Sequence, residues 1–118
     1  MSYLIHGNET YNDLFIEISI RKFNNQLLKL LIDEKVNINK FPDYYLNRKM
    51  ATPLQYTVFC NNLDAIKILI DNNVELNTLT KDGKTALDMA IELGHNLIFD
   101  YLREHGGKTS KELEERTD

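Results

Sequence analysis

An internal repeat is the feature of this sequence that most limits its fold. Residues 85–108 align without a gap on the stretch that begins at Thr52, 33 positions earlier. Residues 14–39 align more weakly on residues 52–77, at an offset of 38. Each copy holds two short apolar runs with helical spacing. A period of about 33 residues built from two helices predicts a solenoid, in which each unit buries its apolar face by stacking on its neighbours.

The later copies also carry the pattern of a known family. The second copy contains TPLQYTVF followed by NNLDAIKILIDNNVELN, and the third reads KDGKTALDMAIELGHNLIFDYLREHGG. These segments resemble the ankyrin repeat, whose pattern opens with Thr-Pro-Leu-His, turns at Gly-His and ends near Val-Asn. The resemblance covers residues 14–108. It is weakest in the first copy, where Leu14-Phe15-Ile16 stands in place of Thr-Pro-Leu.

The resemblance implies an all-α, ankyrin-like solenoid of stacked helix-turn-helix repeats in one domain, residues 1–118. We expect repeats at 14–39, 52–77 and 85–108, a cap at 1–13 and a C-terminal cap or tail at 109–118. The predicted helices lie near 14–22, 26–34, 53–60, 64–71, 86–93 and 97–104.

Local signals predict where several of these helices begin and end. Thr52 and Thr85 each precede an apolar run and are followed three residues later by Gln55 and Asp88, which is the spacing of a capping box. At the other end of these helices, Asn61 and Gly94 favour the left-handed conformation that terminates a helix. For the first helix we expect Asp13 as the N-cap, and an inward face made by Leu14, Phe15, Ile18 and Ser19.

Charge and cysteine content narrow the function classes. The net charge is −4, of which residues 51–118 carry −5 and residues 1–50 carry +1. An acidic solenoid repels phosphate backbones, which argues against DNA or RNA as a partner. The lone Cys60 cannot form an internal disulfide, which favours a reducing compartment. The first residues lack the features of a signal peptide and no run is long enough to span a bilayer, so we expect a cytoplasmic protein.

Catalytic chemistry is poorly supported by the sequence. The three histidines and Cys60 have no metal-ligand spacing, and two Gly-Lys-Thr triplets lack the first glycine of a phosphate-binding loop. We therefore expect no catalytic residue, no cofactor and no bound metal. An enzyme or small-ligand binder remains the alternative class, and it would need a pocket with convergent polar groups.

Between the first and second copies, twelve residues stand where the next junction has seven. This insertion contains Tyr44, Tyr45 and Arg48, residue types that are enriched at interface hot spots. One interpretation is a protruding finger that binds a partner. The other is that its aromatic rings fold back over the solenoid.

The resemblance implies protein binding through the ends of the first helices and the loops between repeats. Carried over position by position, it predicts ten contact residues: Arg21, Lys22, Phe59, Cys60, Leu79, Lys81, Asp82, Lys84, Glu92 and Leu93. The inserted Tyr44, Tyr45 and Arg48 complete a predicted partner-binding set of thirteen residues. Phe59 and Leu93 are apolar where a solvated surface favours polar residues, although packing against a neighbouring loop would also explain them.

We expect a non-catalytic module that binds a partner protein as a monomer or in a 1:1 heterocomplex. The resemblance implies a leading specific role, because small acidic ankyrin-like proteins include immunity and antitoxin proteins. An acidic chain would suit a basic toxin such as a nuclease, with charge steering their encounter. A host-directed or regulatory adaptor is the alternative.

Overall fold

The computed structural model describes residues 9–39 and 50–115, with the side chains of residues 9–13 left out of that description. Within these ranges the chain forms seven α-helices and no strand. This confirms the all-α prediction, and each of the six predicted helices is present. The helices are α1 (Glu9–Arg21), α2 (Asn25–Asp33), α3 (Pro53–Phe59), α4 (Leu63–Asp71), α5 (Ala86–Leu93), α6 (Asn96–Glu104) and α7 (Ser110–Glu115).

The helices stack in two layers. The first helices of the pairs, α1, α3 and α5, contact one another in chain order, and the second helices, α2, α4 and α6, do the same beside them. The fold is elongated, with extents of 46 × 26 × 22 Å. The main contacts among the described helices join helices of one pair or of successive pairs, so stability comes from the pairs and from the interfaces between them.

The core is built from the buried faces of both rows of helices. Ile66 and Leu69 of α4 are completely buried, and Ile98 and Leu102 of α6 are only 1% exposed. They pack with Leu28 and Leu31 of α2 and with the buried faces of the first helices. The neighbouring apolar residues pack against this core and are only partly buried: Ile68, Ile70, Phe99 and Tyr101.

Both predicted capping boxes are present. Thr52 Oγ1 accepts from the backbone N–H of Gln55 at 3.2 Å, and Gln55 Oε1 accepts from the N–H of Thr52 at 3.2 Å. Thr85 and Asp88 repeat this exchange at 3.1 and 3.0 Å. Each box satisfies two backbone donors that the first turn of the helix leaves unpaired.

The residues that replace the family's histidine also tie successive segments together. Gln55 Nε2 donates to the carbonyl of Thr78 at 2.8 Å, in the loop that follows its own helix pair. Asp88 Oδ2 accepts from the N–H of Ser110 at 3.0 Å, in the equivalent place after the next pair. Both side chains therefore cap a helix and hold the following loop at once.

The helix ends were also predicted correctly in the later copies. Asn61 ends α3 with φ of 57° and Gly94 ends α5 with φ of 73°, both in the left-handed region. In the first copy the equivalent residue is Phe23, with φ of 55°. A residue with a side chain is destabilised by roughly 1–2 kcal/mol in the left-handed conformation. The turn at Phe23 is therefore strained, whereas glycine would adopt the same conformation without strain.

The start and the inward face of the first helix were predicted wrongly. α1 begins at Glu9, so Asp13 lies inside the helix and is not its N-cap. The fully buried residues are Ile16 and Ile20, which are four positions apart and therefore share a face. Leu14 is 37% exposed, and Phe15 and Ile18 are partly buried. Of the predicted inward residues, only Ser19 is buried.

The short helix α7 follows the third pair. Thr109 and Glu112 form a third capping box, with Thr109 Oγ1 accepting from the N–H of Glu112 at 3.1 Å and Glu112 Oε1 accepting from the N–H of Thr109 at 2.8 Å. Arg103 Nη1 of α6 lies 2.8 Å from Glu112 Oε1. None of the helices in the described ranges has the length and apolar character needed to cross a membrane.

Candidate partner-binding surface

Ten of the thirteen predicted contact residues fall in the described part of the chain, and they lie in two kinds of place. Six occupy the C-terminal ends of α1, α3 and α5. Four belong to the loop of residues 78–84, which precedes α5 and which we call the finger. Together these ten residues are the first-helix surface: Arg21, Lys22, Phe59, Cys60, Leu79, Lys81, Asp82, Lys84, Glu92 and Leu93. The predicted residues of the insertion, Tyr44, Tyr45 and Arg48, lie outside the described residues.

Three members of this surface are large, apolar and exposed. Phe59 is 55% exposed, Leu79 47% and Leu93 44%. Phe59 is the last residue of α3, and every other residue of that helix, 53–58, is buried. Its ring stacks on that of Tyr56 with 6.3 Å between centroids and 18° between planes. The contact fixes the direction of the Phe59 ring while leaving more than half of the residue accessible.

The finger is a compact turn closed by hydrogen bonds. The N–H of Thr80 donates to the carbonyl of Lys84 at 2.7 Å, and the N–H of Gly83 donates to the carbonyl of Thr80 at 3.0 Å. Thr80 Oγ1 donates to Asp82 Oδ1 at 2.7 Å and accepts from the N–H of Lys84 at 3.0 Å. Gly83 has φ of 82°, a conformation that this turn needs and that glycine adopts without strain.

One ion pair joins the finger to the end of α5. Lys84 Nζ lies 2.7 Å from Glu92 Oε2 and 2.8 Å from Glu92 Oε1. The hydrogen bond to Glu92 raises the pKa of Lys84 above its ordinary value, although partial desolvation acts in the opposite direction. Two residues predicted from different parts of the repeat are thus brought into direct contact.

A second series of contacts joins the ends of α1 and α3. Arg21 Nε lies 3.8 Å from Glu17 Oε2, and the hydroxyl of Tyr56 lies 3.5 Å from the same oxygen. Glu17 is only 5% exposed, so this carboxylate lies beneath the surface. Arg21 and Phe59 therefore belong to one continuous set of side chains, through Glu17 and Tyr56.

Three residues considered for catalysis in the sequence, Cys60, Lys84 and Thr85, have structural roles or contacts. Cys60 is half-buried at the C-cap of α3. In the first Gly-Lys-Thr triplet, Lys84 is paired with Glu92, and Thr85 Oγ1 both caps α5 and donates to the carbonyl of Lys108 at 2.7 Å. Across the described ranges, no three His, Cys, Asp or Glu side chains are grouped so that they could hold a metal ion.

Sequence reasoning missed three residues of the first helices: Glu17, Tyr56 and Ile91. Glu17 and Tyr56 connect α1 to α3, but nothing local in the sequence pairs two residues that are 39 positions apart. Ile91 was also missed as an exposed apolar residue, since it is 54% exposed. The offset of 33 places Ile91 on Val58, which is completely buried in the middle pair. Because α5 belongs to the last of the three pairs, this position is not covered by a further pair as it is in the middle of the stack. The repeat alignment could therefore have identified Ile91 as an exposed residue.

Comparison with known proteins establishes the family. Residues 14–112 match the ankyrin-repeat family over three copies. The chain belongs to the ankyrin-repeat family, which is typically non-catalytic and mediates binding between proteins.

Two curated relatives share part of their length with this chain. It is 35% identical to alpha-latrotoxin-Lt1a of Latrodectus tredecimguttatus over 85 residues, which is 70% of this chain and 6% of the toxin. It is 30% identical to an ankyrin repeat protein of Borreliella burgdorferi over 108 residues, which is 89% of this chain and 44% of that protein. The chain thus spans less than half of either relative.

Two solved structures show the same fold. The ankyrin repeat domain of Bcl-3, a member of the IkappaB family, has a TM-score of 0.71 at 18% identity, covering 79% of this chain and 39% of that one. A chain from the complex of a predatory endopeptidase of Bdellovibrio bacteriovorus with an immunity protein has a TM-score of 0.68 at 22% identity, covering 80% and 47%.

Proposed function

We propose that this chain is a non-catalytic module that binds a partner protein through the first-helix surface. The observation that carries this proposal is the exposure of Phe59. It ends a helix whose other residues are all buried, and it remains 55% exposed. Large apolar side chains that project from an otherwise packed element mark interaction sites when they are grouped. Here Leu79 and Leu93 belong to the same surface.

The architecture of the surface also favours binding. Its side chains come from three successive helix pairs, and the finger is fixed by its own hydrogen bonds and by the Lys84–Glu92 ion pair. A surface that is already ordered loses little conformational entropy when a partner docks, which favours affinity.

Within this class, we propose an immunity-type role in which the chain binds and neutralises a partner protein. Its support is the shared fold with a chain of the endopeptidase and immunity protein complex. The alternative is an adaptor or scaffold that links its partner to other proteins. A reducing, cytoplasmic location agrees with the single thiol of Cys60.

Binding is tested by truncating the exposed apolar residues. The partner is recovered by pull-down, purified and titrated calorimetrically against the wild type and against Phe59→Ala and Leu93→Ala. We expect each variant to lose more than about 1 kcal/mol of binding free energy, the usual threshold for a hot spot. The matched control is Leu97→Ala, since Leu97 is 73% exposed on α6 and lies outside the surface. Unchanged affinity in both surface variants would remove the proposed site.

The immunity role is tested on the same partner. Its own activity is measured while the chain is added up to one equivalent. Loss of activity that saturates at a 1:1 ratio supports neutralisation, whereas tight binding with full activity supports the adaptor. A reading frame for a toxin-like protein beside this gene would identify the partner directly.

A further inference from the structure

We propose that the partner segment that docks on the first-helix surface is acidic and carries an apolar side chain, although this chain is itself acidic. The inference rests on the proposed function, because it specifies the partner for the same surface. It reverses the expectation of a basic partner that the net charge of −4 suggests.

The charges of the first-helix surface differ in sign from those of the whole chain. The surface holds four basic side chains, Arg21, Lys22, Lys81 and Lys84, against two acidic ones, Asp82 and Glu92. All six are exposed or half-exposed. The surface remains positive even when the buried carboxylate of Glu17 is counted against Arg21.

The acidic charge is carried by other faces. The second helices α2, α4 and α6 together contain five acidic residues against three basic ones. In α7 there are three acidic residues and one basic. The negative net charge of the chain therefore reflects these helices and not the surface proposed to bind.

Distance decides which of these charges a docked partner experiences. At physiological ionic strength the Debye length is about 8 Å, so exposed charges farther apart than that are largely screened. An α-helix with its side chains is about 10–12 Å across, and the fold extends over 46 Å. The charges of the acidic faces are therefore largely screened at the first-helix surface, and the local basic excess acts on a bound segment.

The order of the side chains suggests how that segment lies. Lys22 marks the end of α1, Phe59 the end of the neighbouring α3, and Glu92 the end of α5 beyond it. The negative charge of Glu92 is already compensated by Lys84, whose Nζ lies 2.7 Å from Glu92 Oε2. An acidic residue would therefore lie over the end of α1, with an apolar residue beside it against Phe59.

A nucleic acid is also an anion, but the surface suits it poorly. Affinity for nucleic acid comes mainly from several phosphate contacts, whereas this surface has a small basic excess and three exposed apolar side chains. Single-stranded DNA is accordingly one of the probes in the test.

The test uses fluorescence anisotropy with three labelled probes of equal length. These are a peptide of Asp, Glu and Ser with one central Phe, the corresponding peptide with Lys and Arg, and a single-stranded oligothymidine. The wild type is compared with Lys22→Glu/Lys81→Glu, with Phe59→Ala, and with Lys29→Glu/Lys111→Glu. The last variant makes the same change in net charge at exposed lysines outside the surface. Thermal melts verify that each variant is folded.

We expect the acidic peptide to bind in preference to the other probes. Lys22→Glu/Lys81→Glu should weaken it by about tenfold or more and Phe59→Ala should also weaken it, while Lys29→Glu/Lys111→Glu stays within about twofold. The inference is overturned if the acidic peptide does not bind, if the basic peptide or the DNA binds more tightly, or if both charge variants have equal effects. Those results would leave the proposed function standing as long as binding of the captured partner still depends on Phe59.

Discussion

Asn62 joins the first helix pair to the second: its Nδ2 donates to the carbonyl of Ile20 over 2.9 Å. Its Oδ1 accepts from the N–H of Ala65 at 3.0 Å and so caps α4. The side chain is completely buried, which shields both bonds from water. A single amide therefore couples the start of α4 to the end of α1.

We predict that Asn62→Ala destabilises the fold by about 2–4 kcal/mol. Loss of an N-cap costs about 0.5–2 kcal/mol, and leaving the buried carbonyl of Ile20 unsatisfied adds about 1–3 kcal/mol. The free energy of unfolding from urea titration, followed by circular dichroism, measures the effect.

The chain supplies a matched control for this substitution. Asn24 occupies the equivalent place before α2 and accepts from the N–H of Leu27 at 3.0 Å, but its side chain is exposed. Asn24→Ala should therefore cost only about 1 kcal/mol, as a cap alone does. Equal losses in the two variants would show that the bond to Ile20 contributes nothing.

We predict that Leu102→Ala lowers the free energy of unfolding by about 2–5 kcal/mol, the range for buried leucines truncated to alanine. Leu102 is 1% exposed in the core of α6. Leu69→Ala in α4 should have a similar effect, and in both variants the stack should unfold in one transition.

Leu97→Ala is the control, since the same truncation on the same helix removes a side chain that is 73% exposed. Surface substitutions usually change stability by less than about 0.5 kcal/mol. A small effect at Leu102, or a large one at Leu97, would mean that the register of α6 is wrong.

The sequence was sufficient for the second and third pairs because independent signals agree there. Thr52 and Thr85 start their helices, Asn61 and Gly94 end them, and short, mostly apolar runs lie between them. In the first pair such signals are missing. Apolar residues stand at 14, 15, 16, 18 and 20, so the period alone did not reveal that Ile16 and Ile20 form the buried face.

Contacts between distant residues were beyond sequence reasoning. The bond from Asn62 to Ile20 was not predicted, because it spans 42 positions. Lys84 and Glu92 were each predicted as partner contacts, but their ion pair depends on how the finger folds over α5. The sign of the surface charge likewise emerges only when residues are sorted by face.

The C-terminal capping box should make stability depend on pH. The N–H of Thr109, followed by the side chain of Arg103, lowers the pKa of Glu112 from 4.5 to about 2. Because the folded pKa is the lower one, the carboxylate stabilises the fold above about pH 4.5, and this contribution is lost as the pH falls towards 2. Glu112→Gln should therefore lower the melting temperature at neutral pH, with the difference from wild type closing across that interval.

Glu115→Gln is the control for this prediction, because it removes the same charge from α7 without changing the capping box. Melting temperatures of the three proteins are compared at intervals from pH 7 to pH 2. A Glu112→Gln difference that persists at the lowest pH would show that the effect is loss of packing and not loss of the carboxylate charge.

The final prediction concerns the insertion that separates the first two pairs. Tyr45 and Arg48 occupy positions that the repeat itself does not require, and both residue types are frequent hot spots. If the insertion contacts the partner, Tyr45→Ala or Arg48→Ala should weaken partner affinity by more than about 1 kcal/mol while leaving the melting temperature nearly unchanged. Lys67→Ala, on the exposed side of α4, should alter neither quantity. If the insertion variants instead bind normally and melt early, its aromatic rings cover the solenoid and the partner contacts lie on the first-helix surface alone.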